Sequence, residues 1–250
     1  QVELSNPTTV DAVVDYSVTA GTATGGGTDF TLADGQVTIL AGATTANISF
    51  TVNDDAIYES NEDFSVTLDS ISSGNATLGS TILTHTYTIN NNDAVPTVDF
   101  SAAFNSGDEG TSPVNIQVEL SNPTTVDAVV DYSVTAGTAT GGGTDFTLAD
   151  GQVTILAGAT TANISFTVND DAIFESNEDF QVTLDSISSG NATLGSTTLT
   201  HIYTINDNDA APTVDFSAAN NNGSEATSPV NIQVELSNPT TVDAVVDYSV

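Results

Sequence analysis

Residues 161–169 read TANISFTVN, and apolar and polar side chains alternate without a break: Ala162, Ile164, Phe166 and Val168 against Asn163, Ser165, Thr167 and Asn169. Successive side chains of a strand point to opposite faces, so this period of two predicts a strand with one face buried. The alternation continues on both sides of it. Phe180, Val182 and Leu184 oppose Gln181, Thr183 and Asp185, while Ala128, Val130, Tyr132 and Val134 share one face, as do Leu199, His201, Tyr203 and Ile205. About seven strands are predicted, over 97–103, 114–121, 126–135, 151–157, 161–169, 179–186 and 199–206. Turn-forming residues separate them: Ser121-Asn122-Pro123, Gly141-Gly142-Gly143, Asp150-Gly151, Ala157-Gly158 and Ser189-Gly190-Asn191. No stretch keeps a helical period, so the expected fold class is all-β, an antiparallel β-sandwich.

That sandwich is repeated. The segment QVELSNPTTVDAVVDYSV begins at Gln1, Gln117 and Gln233, a period of 116 residues. This is the size of a domain rather than of a solenoid unit. The copies differ at few positions, among them Tyr58/Phe174, Ser65/Gln181, Asn91/Asp207 and Asp108/Ser224, and more than half of the differences fall between Asn91 and Gly110. The expected organisation is a repeat lacking its first strand over 1–93, a complete repeat over 97–209 and the first strands of a third over 213–250. The frame opens inside one predicted strand and closes inside another, which reads as a window onto a longer array.

Composition narrows the function. The 250 residues hold no Lys, no Arg and 33 Asp and Glu, a formal charge of −33. Neutralising phosphates takes cations, so nucleic acid is excluded as a partner, and an anionic membrane surface would repel the chain. No apolar run approaches the roughly 18 residues of a spanning helix, so no direct membrane insertion is expected. At 38% hydrophobic residues the chain is too apolar for a disordered acidic tail. Without cysteine there are no disulfides and no thiolate metal sites.

With no basic residue, crowded carboxylates lack an internal partner. Two unit charges about 4 Å apart repel by roughly 4 kcal/mol at an effective dielectric near 20, so crowded acids call for an external cation. In an antiparallel sandwich, alternate connections lie at one pole. Glu109 lies in the first connection, Asp145 between the third and fourth strands, Asp170, Asp171, Glu175 and Glu178 between the fifth and sixth, and Asp207 and Asp209 after the seventh. Strand parity places all of them at the pole where the chain leaves for the next repeat. Oxygen donors alone, in this number, suit calcium better than magnesium, which demands stricter octahedral geometry. A merely solvated acidic loop is the plainer reading of any one charge run; convergence from four connections argues against it.

The string GTATGGGTDFTLADGQVTILAGATTANISFTVNDDAIYESNEDFSVTL (21–68), continuing to TYTINNND (86–93), resembles the Calx-beta domain, in every copy. An odd number of strands takes the chain in at one pole and releases it at the other, so the Ig-like sandwiches are expected to stack end to end, and the resemblance implies their tandem repetition and a calcium cofactor. Its implied ligands are Glu109, Asp145, Asp170, Asp171, Glu175 and Glu178, with Ile173 as a carbonyl donor and Asp207 and Asp209 as the terminal cluster. The first copy offers Asp29, Asp54, Asp55, Glu59, Glu62 and Asp93, with Ile57 as carbonyl donor; there Asn91 stands in place of an Asp.

Catalysis is not expected. His85 and His201 lie among apolar neighbours and read as core or rim histidines rather than bases. The glycine triplets lack the Lys and helix of a phosphate loop. Paired carboxylates could serve glycoside hydrolysis, but no Trp supplies a sugar platform. Near-identity between copies favours a length role, because distinct binding surfaces would need distinct sequences. The chain is therefore expected to be a calcium-binding structural repeat of an extracellular filament or adhesin stalk at a bacterial cell surface. Its expected partners are neighbouring repeats of the same chain, with lateral self-association into fibres open to it. The alternative is a calcium-sensing regulatory domain attached to a membrane protein.

Overall fold

Alternation becomes burial wherever a strand finds neighbours on both sides. The computed structural model describes residues 1–250 and contains no helix. The chain divides into two units, Gln1–Ala94 and Val95–Val250.

The first unit holds β1 (Val2–Glu3), β2 (Ala12–Ala20), β3 (Phe30–Thr31), β4 (Gly35–Ile39), β5 (Thr45–Ala46), β6 (Thr51–Val52), β7 (Glu62–Ser73) and β8 (Thr84–Ile89). Four of these form one sheet in the order β4-β2-β7-β8. The others pair only as short fragments, β1 with β5 and β3 with β6.

The second unit contains β9 (Thr97–Phe100), β10 (Phe104–Asp108), β11 (Val114–Leu120), β12 (Ala128–Ala136), β13 (Phe146–Thr147), β14 (Gly151–Ile155), β15 (Thr161–Val168), β16 (Glu178–Ser189), β17 (Thr193–Leu194), β18 (Thr200–Asn206), β19 (Val214–Phe216) and β20 (Val234–Leu236). Two five-stranded sheets form its sandwich, β10-β18-β16-β12-β14 and β13-β15-β11-β9-β17. Ile116 and Val118 of β11 meet Ile164 and Phe166 of β15, Phe180 and Val182 of β16 and Tyr203 of β18 in one buried core. Phe146 stacks on Phe180 with centroids 3.9 Å apart, and Phe166 meets Phe180 and Tyr203 edge to face. Each such side chain contributes roughly 1.5–3 kcal/mol by burial.

Three expectations change. The predicted strand 97–103 ends at Phe100 as β9, and the chain crosses to the other sheet, where β10 runs parallel to β18. His201 holds this crossover: it is 2% exposed, its Nδ1–H donates to the Ala102 carbonyl at 2.7 Å, and Nε2 lies 2.7 Å from the Asn105 side chain. Burial pushes its pKa below the ordinary histidine range. His85, its counterpart, is exposed, because the first unit has no such crossover to cover it. The short strands β13 and β17 add to the predicted set; two residues are too few to show a period.

The third copy contributes a hairpin, β19 paired with β20 in the register Val214↔Leu236. Residues 242–250 repeat the sequence at 126–134 but form no strand. In the complete repeat that sequence lies between β14 and β16, and beside 242–250 the chain supplies no counterpart of either.

Candidate metal centre

The parallel pair β10–β18 ends at one pole, and β16 begins there, with Glu178 opposite Ile205. Four connections therefore meet at that pole. The glycine turn at 141–143 brings Asp145 back toward β15, where the Asn169 N–H donates to the Asp145 carbonyl at 2.9 Å. The Asn169 amide fastens the same turn through the Gly143 and Thr144 carbonyls at 2.7 and 2.9 Å. Asp171 accepts the Ile173 N–H at 2.7 Å, which curls the loop toward Glu175. Glu109 is tied to the last strand by its own N–H, donated to the Asn206 carbonyl at 3.0 Å.

The acids gather in two groups of three. Asp145, Glu175 and Glu178 form one, and Glu109, Asp171 and Asp209 the other; within each, one carboxylate oxygen per residue lies within 4.8 Å of the rest. In the first unit Asp29, Glu59 and Glu62 form such a group, and Asp54, Asp55 and Asp93 line the same cleft. Asp170 and Asp207 stand outside the groups. Asp170 accepts the Asn208 amide at 2.9 Å, as Asp54 accepts Asn92 at 2.9 Å. Asp207 accompanies the second group by charge, as one of the anions that raise Glu109.

Electrostatic cost is visible in these carboxylates. Desolvation first, then Asp171, Asp207, Glu175 and Asp209, push Glu109 up to about 7. Glu178 reaches about 7 through desolvation and Asp145, and Glu62 about 7 through desolvation and Asp29. Glu59, Glu175 and Asp209 are raised for the same reasons, burial first and neighbouring acids second. Glu109 Oε2, Asp207 Oδ1, Asp209 Oδ2 and Glu62 Oε2 are buried without any hydrogen-bond partner. Buried oxygens that accept nothing, in a chain with no Lys or Arg, fit a hard cation as the missing partner.

Sequence reasoning misses the amides. Asn208 donates to both Asp170 and the Glu109 carbonyl, the latter at 3.1 Å. Asn177 links to Asn206 at 3.1 Å and accepts the Asp207 N–H at 3.3 Å. An Asn in an acidic loop carries no charge signal; its only mark is its recurrence at Asn92, Asn61 and Asn53 in the first copy.

The acidic loop also reaches the next repeat. Phe174, between Asp171 and Glu175, forms a parallel bridge with Thr240. The Phe174 N–H donates to the Pro239 carbonyl at 3.1 Å, and the Phe174 carbonyl accepts the Thr241 N–H at 3.2 Å and the Thr240 hydroxyl at 2.8 Å. Asn238 donates to the Ala210 carbonyl at 2.8 Å, fixing the linker from the same turn.

An all-β sandwich, repeated in tandem, with carboxylates that face no basic side chain gathered at its chain-exit pole defines an acid-poled modular β-domain protein. The chain belongs to the Calx-beta domain family, whose profile matches residues 1–93 and 90–209. Among solved structures, the apo-form Calx CBD1 domain is 25% identical, over 46% of this chain and 100% of that one, with a TM-score of 0.42. CBD12 from CALX1.2 is 17% identical, over 82% of this chain and 90% of that one, with a TM-score of 0.40. No curated protein matches the chain.

Proposed function

We propose that this chain is a calcium-binding structural segment of a long extracellular filament or adhesin stalk, with calcium at the inter-repeat joints stiffening the array. The observation that carries the reading is the position of Phe174: the loop that supplies Asp171, Glu175 and Glu178 to the acid groups is the loop bridged to Thr240 of the following repeat. A cation that orders this loop also orders the joint.

Glu109, Asp145, Asp170, Asp171, Glu175, Glu178, Asp207 and Asp209, with the Ile173 carbonyl, hold the ions in the complete repeat. Asp29, Asp54, Asp55, Glu59, Glu62 and Asp93, with the Ile57 carbonyl, do so in the first. Calcium supplies positive charge where protonation is otherwise the only relief. The residues do the rest: Asn208 and Asn169 orient the loops, and the stacked pair Phe146–Phe180 backs the pole. No step of covalent chemistry is assigned to the site.

The absence of Lys and Arg leaves trypsin-like proteases no cleavage point, which suits exposure at a bacterial surface. Extracellular modules bind calcium at about 10⁻⁴–10⁻³ M, and at about ten times the dissociation constant one ion stabilises its fold by roughly 1.4 kcal/mol. Lateral association of such rods would use the outward Thr, Ser and Asn faces. The test is thermal melting of the chain in millimolar calcium and in EDTA, with electron micrographs of the native material. A midpoint unchanged by EDTA refutes calcium, and isolated globules in calcium refute the filament.

A further inference from the structure

The positions at which repeats differ include one that changes the backbone. Gly110 has a φ of 72°, and the Thr111 N–H donates to the Asp108 carbonyl at 3.1 Å. An i to i+3 bond with positive φ only at the third residue makes Asp108–Thr111 a type II turn. The next repeat reads Ser224, Glu225, Ala226 and Thr227 at the same place. It closes the same bond, Thr227 N–H to Ser224 carbonyl at 2.9 Å, yet no residue other than glycine has a positive φ anywhere in the chain. That turn is type I, and the Ser224 hydroxyl accepts the Ala226 N–H at 3.3 Å, supporting it locally.

Type I and type II turns differ by a flip of the central peptide, so the Glu109 and Glu225 carbonyls point to opposite sides of their turns. The direction matters in the complete repeat. The Glu109 carbonyl accepts from Asn208 at 3.1 Å, and the same amide donates to Asp170 at 2.9 Å. A Cβ at position 110 would also stand 3.2 Å from the Asp170 Cβ and 3.3 Å from its Cγ. A side chain there acts on Asp170 twice, by direct crowding and by turning away the carbonyl that holds Asn208.

We propose that Gly110 is a positioning residue of the acid centre: its type II turn aims the Glu109 carbonyl at Asn208 and seats Asp170, and alanine in its place, as at Ala226, specifies a weaker cation site. The affinity of a repeat is thereby set in part by a residue that is not a ligand. The inference rests on the calcium reading above and adds to it a tuning position. Asp108/Ser224 changes together with it, exchanging an acceptor for the Asn206 amide, at 3.3 Å, for the hydroxyl that supports the flipped turn.

The experiment is calcium titration calorimetry on the full 250-residue chain, wild type against Gly110→Ala, with the first copy as internal reference. Gly158→Ala is the control, because Gly158 has a φ of 76°, a Cβ added there meets nothing within 4 Å, and the residue lies in the turn between β14 and β15, which supplies no member of either acid group. The expected result is a loss of about tenfold or more in the affinity of the complete repeat for Gly110→Ala and none for Gly158→Ala. Should Gly110→Ala misfold, Asn208→Ala removes the amide without backbone strain and is expected to show the same loss. Wild-type affinity in a folded Gly110→Ala or Asn208→Ala chain overturns the inference while leaving the calcium reading intact. A flat wild-type titration overturns both.

Discussion

The Thr240 hydroxyl donates to the Phe174 carbonyl at 2.8 Å, so a side chain of one repeat closes on the main chain of the acidic loop of the repeat before it. Removing it with Thr240→Ala costs about 1 kcal/mol of local stability, the net worth of one hydrogen bond. Amide hydrogen exchange at Phe174, whose N–H is held by Pro239, is expected to quicken several-fold. Unchanged protection would mean that the bridge does not govern the loop.

Glu178→Gln separates the two roles of charge at the pole. Glu178 is raised to about 7 by desolvation and by Asp145, so the uncharged variant relieves repulsion and raises the melting midpoint in EDTA. The same change removes a ligand charge, and calcium affinity of that repeat falls about tenfold or more. A variant that melts lower in EDTA, or binds calcium as before, contradicts the assignment.

The pH dependence has opposite signs with and without calcium. Glu109 and Glu178 have folded values near 7 against 4.5 for the free side chain, so the unfolded chain releases these protons first as pH rises. Without metal, their stabilisation is complete below about pH 4.5 and is lost as pH rises through 7. In calcium the ion replaces the protons, and its stabilising effect grows over the same window. Parallel melting series at pH 4.5–7.5 in EDTA and in calcium are expected to converge at the acid end and diverge at neutral pH.

His201→Leu keeps the apolar contacts of a buried residue but leaves the Ala102 carbonyl without its donor. A buried polar group left unpaired costs about 1–3 kcal/mol. The same substitution at exposed His85 is expected to stay within about 0.5 kcal/mol. Chemical denaturation of both variants checks the contrast, and equal effects would refute the structural role of the crossover.

The acid pole is legible in the amino-acid sequence, because strand parity alone decides which connections share an end. Its division into Asp145–Glu175–Glu178 and Glu109–Asp171–Asp209 is not. That grouping depends on loop conformations set by main-chain bonds such as Asn169 to Asp145 and Ile173 to Asp171, which leave no periodic trace.

Identical segments in different surroundings draw the remaining line. The alternation in TANISFTVN determined which side chains share a face, and it did so in both copies. Ile164 and Phe166 are buried, at 3% and 4% exposure, because β11 lies beside β15 and β16 and β18 lie across the core. Ile48 and Phe50, of the same sequence, are only partly buried, and their segment breaks into β5 and β6 where little more than β1 stands beside it. The period of a strand is written in its own residues, whereas its burial, and with it most of its free energy, comes from strands distant in sequence that only the tertiary structure brings alongside.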